Sequence, residues 1–225
     1  PILLGEADYT KGNRFTSISH LSGMPRVRIY GNAALSFAAK VSTGYWNVFD
    51  PTNGFTAIEA CVARLVMEKR VSRRFFFETD LLYHLGTLRA VVRDVPMPAR
   101  YGDEVSNIRI SNIVGPFALK HAQNFFQRVV GQYFVRDFHA ATIELLFGAM
   151  FLLFGLGYAL RWMMIRLPGQ AASAGVVMAA ALPVIIGVQL LLQAMNFDVL
   201  NAPSRPIHPY LRAIERLEAE QSHDA

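Results

Sequence analysis

The sequence predicts an α/β domain followed by two transmembrane helices. Three observations lead there. Short strand-like runs alternate with amphipathic helical runs between Arg28 and Val95, the pattern of an α/β layer. Further on, Leu145 to Leu160 and Ala171 to Phe197 contain no charged residue. Charge is scarce overall, at 17% of 225 residues, against roughly 25% in average soluble domains. Most of the deficit falls between Ala140 and Phe197. The expected organisation is a domain over 1–111, juxtamembrane amphipathic helices over 112–139, two membrane helices over 140–200 and a tail over 201–225.

The chain starts at Pro1 with no initiator Met and no signal-peptide pattern. Pro1-Ile2-Leu3-Leu4 reads as the middle of a fold, so a fragment or processed piece of a longer α/β protein is expected. Pro1 to Asn13 reads as a connection, and Thr16 to Pro25 as a polar loop. Arg26 and Arg28 open a helix whose small and apolar residues (Ile29, Ala33, Phe37, Val41) recur at helical spacing, and Thr43-Gly44 ends it. Asp50-Pro51-Thr52-Asn53-Gly54 is a tight turn, because proline and Asn-Gly preset its backbone angles. It delivers Phe55 to Ile58 into a short strand. Glu59 to Arg70 is an amphipathic helix, with Val62, Leu65 and Val66 inward. Phe75-Phe76-Phe77 suits a buried strand, after which Thr79 or Asp80 caps a helix through Leu88. Ala90 to Val95 is a strand closed by Pro96 and Pro98, and Arg100 to Ser106 is a polar loop.

Between Ile113 and Phe138 an apolar stripe (Ala118, Ala122, Phe125, Phe126, Val129, Tyr133) runs beside Lys120, Arg128 and Arg136. Two readings stay open: a helix lying in a membrane interface, or one packed on the domain. The run from Ala171 to Phe197 is long enough to cross a hydrocarbon core of about 30 Å. Pro183 within it is tolerable where neighbours cover the freed backbone groups. Basic residues flank the pair of spans on both outer sides, and only Arg161 and Arg166 lie between them. The positive-inside bias therefore favours a multi-pass membrane protein with domain and tail in the cytoplasm. A short helix from Tyr210 to Glu220 is expected in the tail.

The net charge of +5 and pI near 9.6 suit a membrane surface or a phosphorylated ligand. Nucleic acid is not expected as a partner, since no basic block interleaved with aromatics and no zinc-finger signature appears. The single cysteine, Cys61, excludes an internal disulfide. The histidines lack paired ligand spacing, so no metal site is expected within this chain. What remains is a set of charged residues at element ends: Asp50, Glu78, Asp80, Asp103 and Glu104 against Lys11, Arg14, Arg26, Arg28 and Arg100. Taken singly, each suits a cap, a turn or a solvated charge. Their shared placement suits an open α/β site, where ligands sit beyond strand ends.

Ala7-Asp8-Tyr9-Thr10-Lys11-Gly12-Asn13-Arg14-Phe15, followed by Asp50-Pro51-Thr52-Asn53-Gly54-Phe55, resembles family 2 glycosyltransferases that load a sugar onto a polyprenyl phosphate. Dolichyl-phosphate mannose synthases and bacterial undecaprenyl-phosphate glucosyltransferases are members. Phe76-Phe77-Glu78-Thr79-Asp80-Leu81-Leu82, the stretch from Val95 to Ser106 and the paired apolar segments extend the likeness, which runs from about Ile2 to Asn196. The resemblance implies a partial GT-A-type domain on the cytoplasmic face, taking a nucleotide-sugar and transferring the sugar to a lipid phosphate with inversion. It also implies a divalent metal, Mg or Mn, in the full-length parent. The family's nucleotide pocket and Asp-x-Asp metal motif lie upstream of the Lys-Gly-Asn-Arg segment, outside this chain, so the piece alone is expected to be inactive.

By the same resemblance Asp50 matches an aspartate on the acceptor side, and Glu78 or Asp80 stands where the wider superfamily carries a base carboxylate. Arg14 matches an arginine of the acceptor-phosphate site, with Lys11, Arg26, Arg28 and Arg100 as further phosphate or substrate contacts. A phosphate monoester has its second pKa near 6. It is already an anion at neutral pH and asks for positioning by cations more than for a strong base. The rival reading is a non-catalytic membrane scaffold or assembly partner that keeps the α/β shell. A processive polysaccharide synthase is a third, disfavoured by the lack of a Gln-x-x-Arg-Trp motif. The sequence is silent on oligomeric state, although Gly148, Gly155 and Gly157 allow the close helix approach that a homo-oligomer would use.

Overall fold

The computed structural model describes residues 1–16, 26–73, 76–98, 110–166 and 170–223. The chain is mostly helical, with a small three-stranded mixed sheet and two helices long and apolar enough to cross a membrane. It divides into two compact units, Pro1–Gly131 with Ala202–Ala225, and Gln132–Asn201.

In the first unit, β1 (Tyr9–Asn13) is the central strand. After it come α1 (Arg26–Thr43), β2 (Thr56–Ile58), α2 (Ala60–Met67), α3 (Phe77–Thr87), β3 (Val92–Pro96) and α4 (Ile110–Val129). β2 pairs antiparallel with β1, Tyr9 opposite Ile58. β3 pairs parallel on the other side, from Tyr9 opposite Val92 to Asn13 opposite Pro96. The connection expected over Pro1 to Asn13 is therefore corrected in its last five residues, which form a strand buried along its whole length. Tyr-Thr-Lys-Gly-Asn shows neither a period of two nor an apolar run, so local pattern could not reveal it. Its burial comes from strands on both edges and from polar partners supplied by distant loops.

The core packs Tyr9, Tyr45, Val62, Leu82, Leu85 and Val92. The Tyr45 hydroxyl donates to the Ala90 carbonyl at 2.6 Å, which satisfies a fully buried phenol. A second correction concerns Phe75 to Phe77. Phe77 opens α3 and buried Phe76 precedes it, while Phe75 lies outside the described residues. Asp80 accordingly sits inside the first turn of α3 rather than capping it.

The tail is not a loose appendage. α7 (His208–His223) lies against the first unit, with Ile207 and Leu211 against its core. The anchor is Asp8, fully buried just ahead of β1. Its carboxylate accepts from Val91 N at 2.7 Å, Ile207 N at 3.0 Å, His208 N at 2.9 Å and His208 Nδ1 at 2.8 Å. Arg212 adds an ion pair to Glu59 at 2.5 Å, and Arg64 pairs with Glu215.

α4 has its polarity inverted. His121, Asn124 and Arg128 are buried, whereas Val114, Leu119 and Phe126 are exposed. His121 Nδ1 meets Ser42 Oγ at 2.8 Å, and Arg128 Nη2 donates to the Val41 carbonyl at 2.7 Å. Arg128 serves the C-terminal end of α1, where orphan carbonyls and the helix dipole favour a cation. Gly44 leaves that helix at φ +81, a conformation glycine adopts without strain, and a Cβ there would meet Arg128 Nη1 at 3.1 Å. One face of this stretch packs on the domain, and the other is apolar and exposed.

The second unit is a helical hairpin. A π-helical segment, Val130–Arg136, leads to α5 (Ala140–Ile165) and α6 (Ala174–Leu200). Glycines let the two helices approach: a Cβ on Gly148 would meet Leu191 at 3.0 Å, on Gly155 Ala180 O at 2.7 Å, and on Gly187 Leu152 N at 2.6 Å. These pairings run in opposite directions along the chain, so the helices are antiparallel. Gly157 has nothing nearby and takes no part. At one end the Tyr133 hydroxyl donates to Asp198 at 2.8 Å, so the buried carboxylate near the end of α6 has a partner.

Candidate functional site

The polar residues collect where β1 ends. Lys11 occupies the strand's middle and is fully buried. Its Nζ donates to the Asn53 carbonyl at 2.6 Å. Two positions on, Asn13 reaches across to β3, donating to Asp94 Oδ2 at 2.7 Å while its own Oδ1 accepts from Phe15 N at 2.8 Å. Arg14 follows immediately and turns back onto the Asp50 turn.

The arginine and the turn meet as a fork. Arg14 Nε donates to Asp50 Oδ2 at 2.7 Å and Nη2 to Oδ1 at 3.0 Å. The Asp50 side chain is fully buried, while Arg14 keeps 28% of its side chain exposed. Two parallel charge-assisted bonds fix the guanidinium plane. The cation is held in place while part of its side chain stays exposed.

Asn53 closes the turn onto the strand. Its Nδ2 donates to the Gly12 carbonyl at 2.7 Å, and its Oδ1 accepts from Phe55 N at 3.0 Å. Gly12 is needed for this fit: a Cβ there would meet Asn53 Nδ2 at 2.9 Å and collide with Met97 Sδ. Beside the turn, Thr52 Oγ1 donates to Asn32 Oδ1 at 3.3 Å. Asn32 Nδ2 and, one helical turn on, Ser36 Oγ are buried without a hydrogen-bond partner. Buried polar groups are nearly always satisfied, so such atoms mark places for water or ligand.

Burial lowers the Lys11 ammonium from its ordinary 10.5 to about 8. The carboxylates of Glu78, Asp50 and Asp94 oppose that fall, and the Arg14 charge adds to it. Asp94 moves the other way. Burial raises its pKa, the bonds from Phe49 N and Asn13 hold it down, and the charge on Asp50 pushes it up. Lys11, Arg14, Asp50, Glu78 and Asp94 therefore form one electrostatic group, braced by Asn13 and Asn53. Asn13, Asn53 and Asp94 were not among the candidate site residues of the sequence; Asp94 follows Arg93 in an otherwise ordinary strand.

Asp80 is placed elsewhere. It accepts from Ser72 N at 2.6 Å and Asn124 Nδ2 at 3.0 Å, with His84 Nε2 at 3.9 Å. Its carboxylate ties α3 to α4 and to the loop before it, and the structure does not bring it to the Lys11 group. Arg26 and Arg28 lie in the first turn of α1, with side chains outside the described residues, as are Arg100 and the Asp103-Glu104 pair. Among the described residues no three His, Cys, Asp or Glu side chains are arranged to hold a metal ion. Asp50 has both oxygens on Arg14 and Asp94 Oδ2 accepts from Asn13 and Phe49 N, which leaves Asp94 Oδ1 buried without a partner among the described residues, too few free oxygens to fit a divalent ion.

No family model, curated protein or solved structure matches the chain.

Chemically the group is a set of paired charges: Lys11 is fully buried and Arg14 keeps 28% of its side chain exposed, so an incoming anion would be met by the guanidinium. Glu78, half-buried at the start of α3, is the charge most strongly felt by Lys11.

Proposed function

We propose that this chain carries the acceptor-side part of a membrane-anchored family 2 glycosyltransferase, with a partial GT-A-type domain. The reaction would move a sugar from a nucleotide-sugar to a polyprenyl phosphate at the cytoplasmic face. The observation that carries the reading is the Arg14–Asp50 fork beside buried Lys11. It joins two motifs of the resemblance that lie 36 residues apart. An oxygen of the lipid phosphate attacks the anomeric carbon, the bond to the donor's diphosphate breaks, and the nucleotide leaves with that electron pair. The phosphate is already anionic, so no proton needs removing from the nucleophile. Arg14 and Lys11 hold it; Asp50 orients Arg14.

The second unit supplies the membrane reading. α5 and α6 are proposed to span the bilayer as a hairpin. Supporting this, Pro1–Gly131 and Ala202–Ala225 belong to one compact unit, so the chain that leaves after Gly131 returns to the same body. An even number of crossings satisfies that requirement, and one does not. The exposed apolar face of α4 suits an interfacial position.

A scaffold role has one observation in its favour: Lys11 and Arg14 are both already bonded within the chain. The deciding assay uses the full-length parent with Mg or Mn, a panel of radiolabelled nucleotide-sugars and undecaprenyl phosphate. Label appearing in a chloroform-soluble product supports the transferase. Its absence with every donor removes that reading and leaves the scaffold.

A further inference from the structure

α6 carries polar side chains where a membrane helix has least use for them. Gln189, Gln193 and Asn196 are exposed, and none has a hydrogen-bond partner among the described residues. They line an open groove of about 520 Å³ together with Ile185, Val188 and Leu192. Gln189 lies two residues beyond the midpoint of the 27-residue helix. In the bilayer core an unpaired amide costs several kcal/mol, so a partner is required there. α5 does not provide it. It packs on the opposite face of α6, through Gly187 and Leu191.

The spacing says what kind of partner fits. Ile185, Gln189, Leu192 and Asn196 recur at intervals of four, three and four, the seam of a left-handed helix pair. In that seam Ile185 and Leu192 take one core position of the heptad, and Gln189 and Asn196 the other. A carboxamide both donates and accepts, so it can pair with its own copy. Every copy of this chain enters the membrane in the same orientation, so two α6 helices meet parallel and each seam residue faces itself. We propose that this stripe is a homotypic interface, at which a second copy of the chain docks its α6. Gln189 and Asn196 set the register, as polar seam residues do in soluble coiled coils. Gln193 flanks the seam and bonds across it.

The proposal rests on the reading of α6 as a membrane span, and the test separates the two. The full chain, with Cys61→Ala to remove its single native cysteine, is expressed in membranes carrying Ile185→Cys or Leu192→Cys. Leu153→Cys on α5, 71% exposed, is the control. Under mild oxidation the two seam cysteines should give covalent dimer, and Leu153→Cys should not. The same membranes are washed with alkaline carbonate. Loss of the chain from the pellet overturns the membrane reading and the interface with it. A retained chain with no cross-link, or with equal cross-linking at Leu153, overturns the interface alone and leaves the stripe to a lipid or another protein. In a second arm, energy transfer between labelled copies in vesicles should fall with Gln189→Leu and Asn196→Leu combined. About a tenfold weaker association is expected for two interhelical amide pairs, with Gln189→Asn retaining part of it. Unchanged association in the leucine variant would also overturn the proposal.

Discussion

Asp50 has no solvent contact and its two oxygens are both spent on Arg14. That geometry makes it an organiser of the cation rather than a proton acceptor. Asp50→Asn in the full-length parent should slow transfer about ten- to hundredfold, the loss of one charge-assisted fork, and mostly through the KM for the lipid phosphate. Arg14→Ala should remove most activity. Lys11 gives a pH signature. Its folded pKa of about 8 lies below its ordinary 10.5, so transfer should decline as pH rises through 8, a limb absent from Lys11→Met. For stability the sign is opposite: between pH 8 and 10.5 the unfolded chain holds the proton that the fold has released, so this group favours folding as pH rises. A urea titration at pH 7.5 and 9.5 checks it. Arg14, Lys11, Asp50 and Glu78 were legible because they stand in ordered motifs with turn chemistry around them. Asn13, Asn53 and Asp94 acquire their roles only when β3 and the turn come to lie on either side of β1, which no local pattern encodes.

At the level of elements, the helices were readable because their periodicity is local, and α1, α2 and α3 lie close to where spacing puts them. β1 was missed because burial by tertiary neighbours replaces the alternation that marks a strand. α4 was half legible: the apolar stripe is real, yet the buried face is the polar one. The tail read as a polar segment with a short helix, whereas Asp8, two ion pairs and the packing of Ile207 and Leu211 hold it to the fold. Asp8→Ala would strand four buried donors, and the unfolding free energy of the soluble unit should drop by about 3–5 kcal/mol. Hydrogen exchange should rise first in α7. In the hairpin, Gly187→Ala places a methyl 2.6 Å from Leu152 N. Since the clash is with backbone, the helices must separate, and a loss of about 1–3 kcal/mol is expected. Thermal aggregation in detergent measures it.

For the whole molecule the decisive quantity is sidedness. Tags placed before Pro1 and after Ala225 should be digested by protease from the same side of sealed vesicles, and a tag at 167–169 only from the other. The Asp8 anchor adds a consequence in time. Ile207 and His208 lie 199 and 200 residues from Asp8, so the carboxylate ahead of the central strand meets these partners long after its own synthesis. Until then the nascent first unit holds a carboxylate with three of its four donors missing. Both hydrophobic helices are made before the residues that complete that unit. On the proposed membrane reading, the hairpin is inserted while the first unit is still unsealed. A stop codon after Asn201 should yield a protein that reaches the membrane and is then degraded.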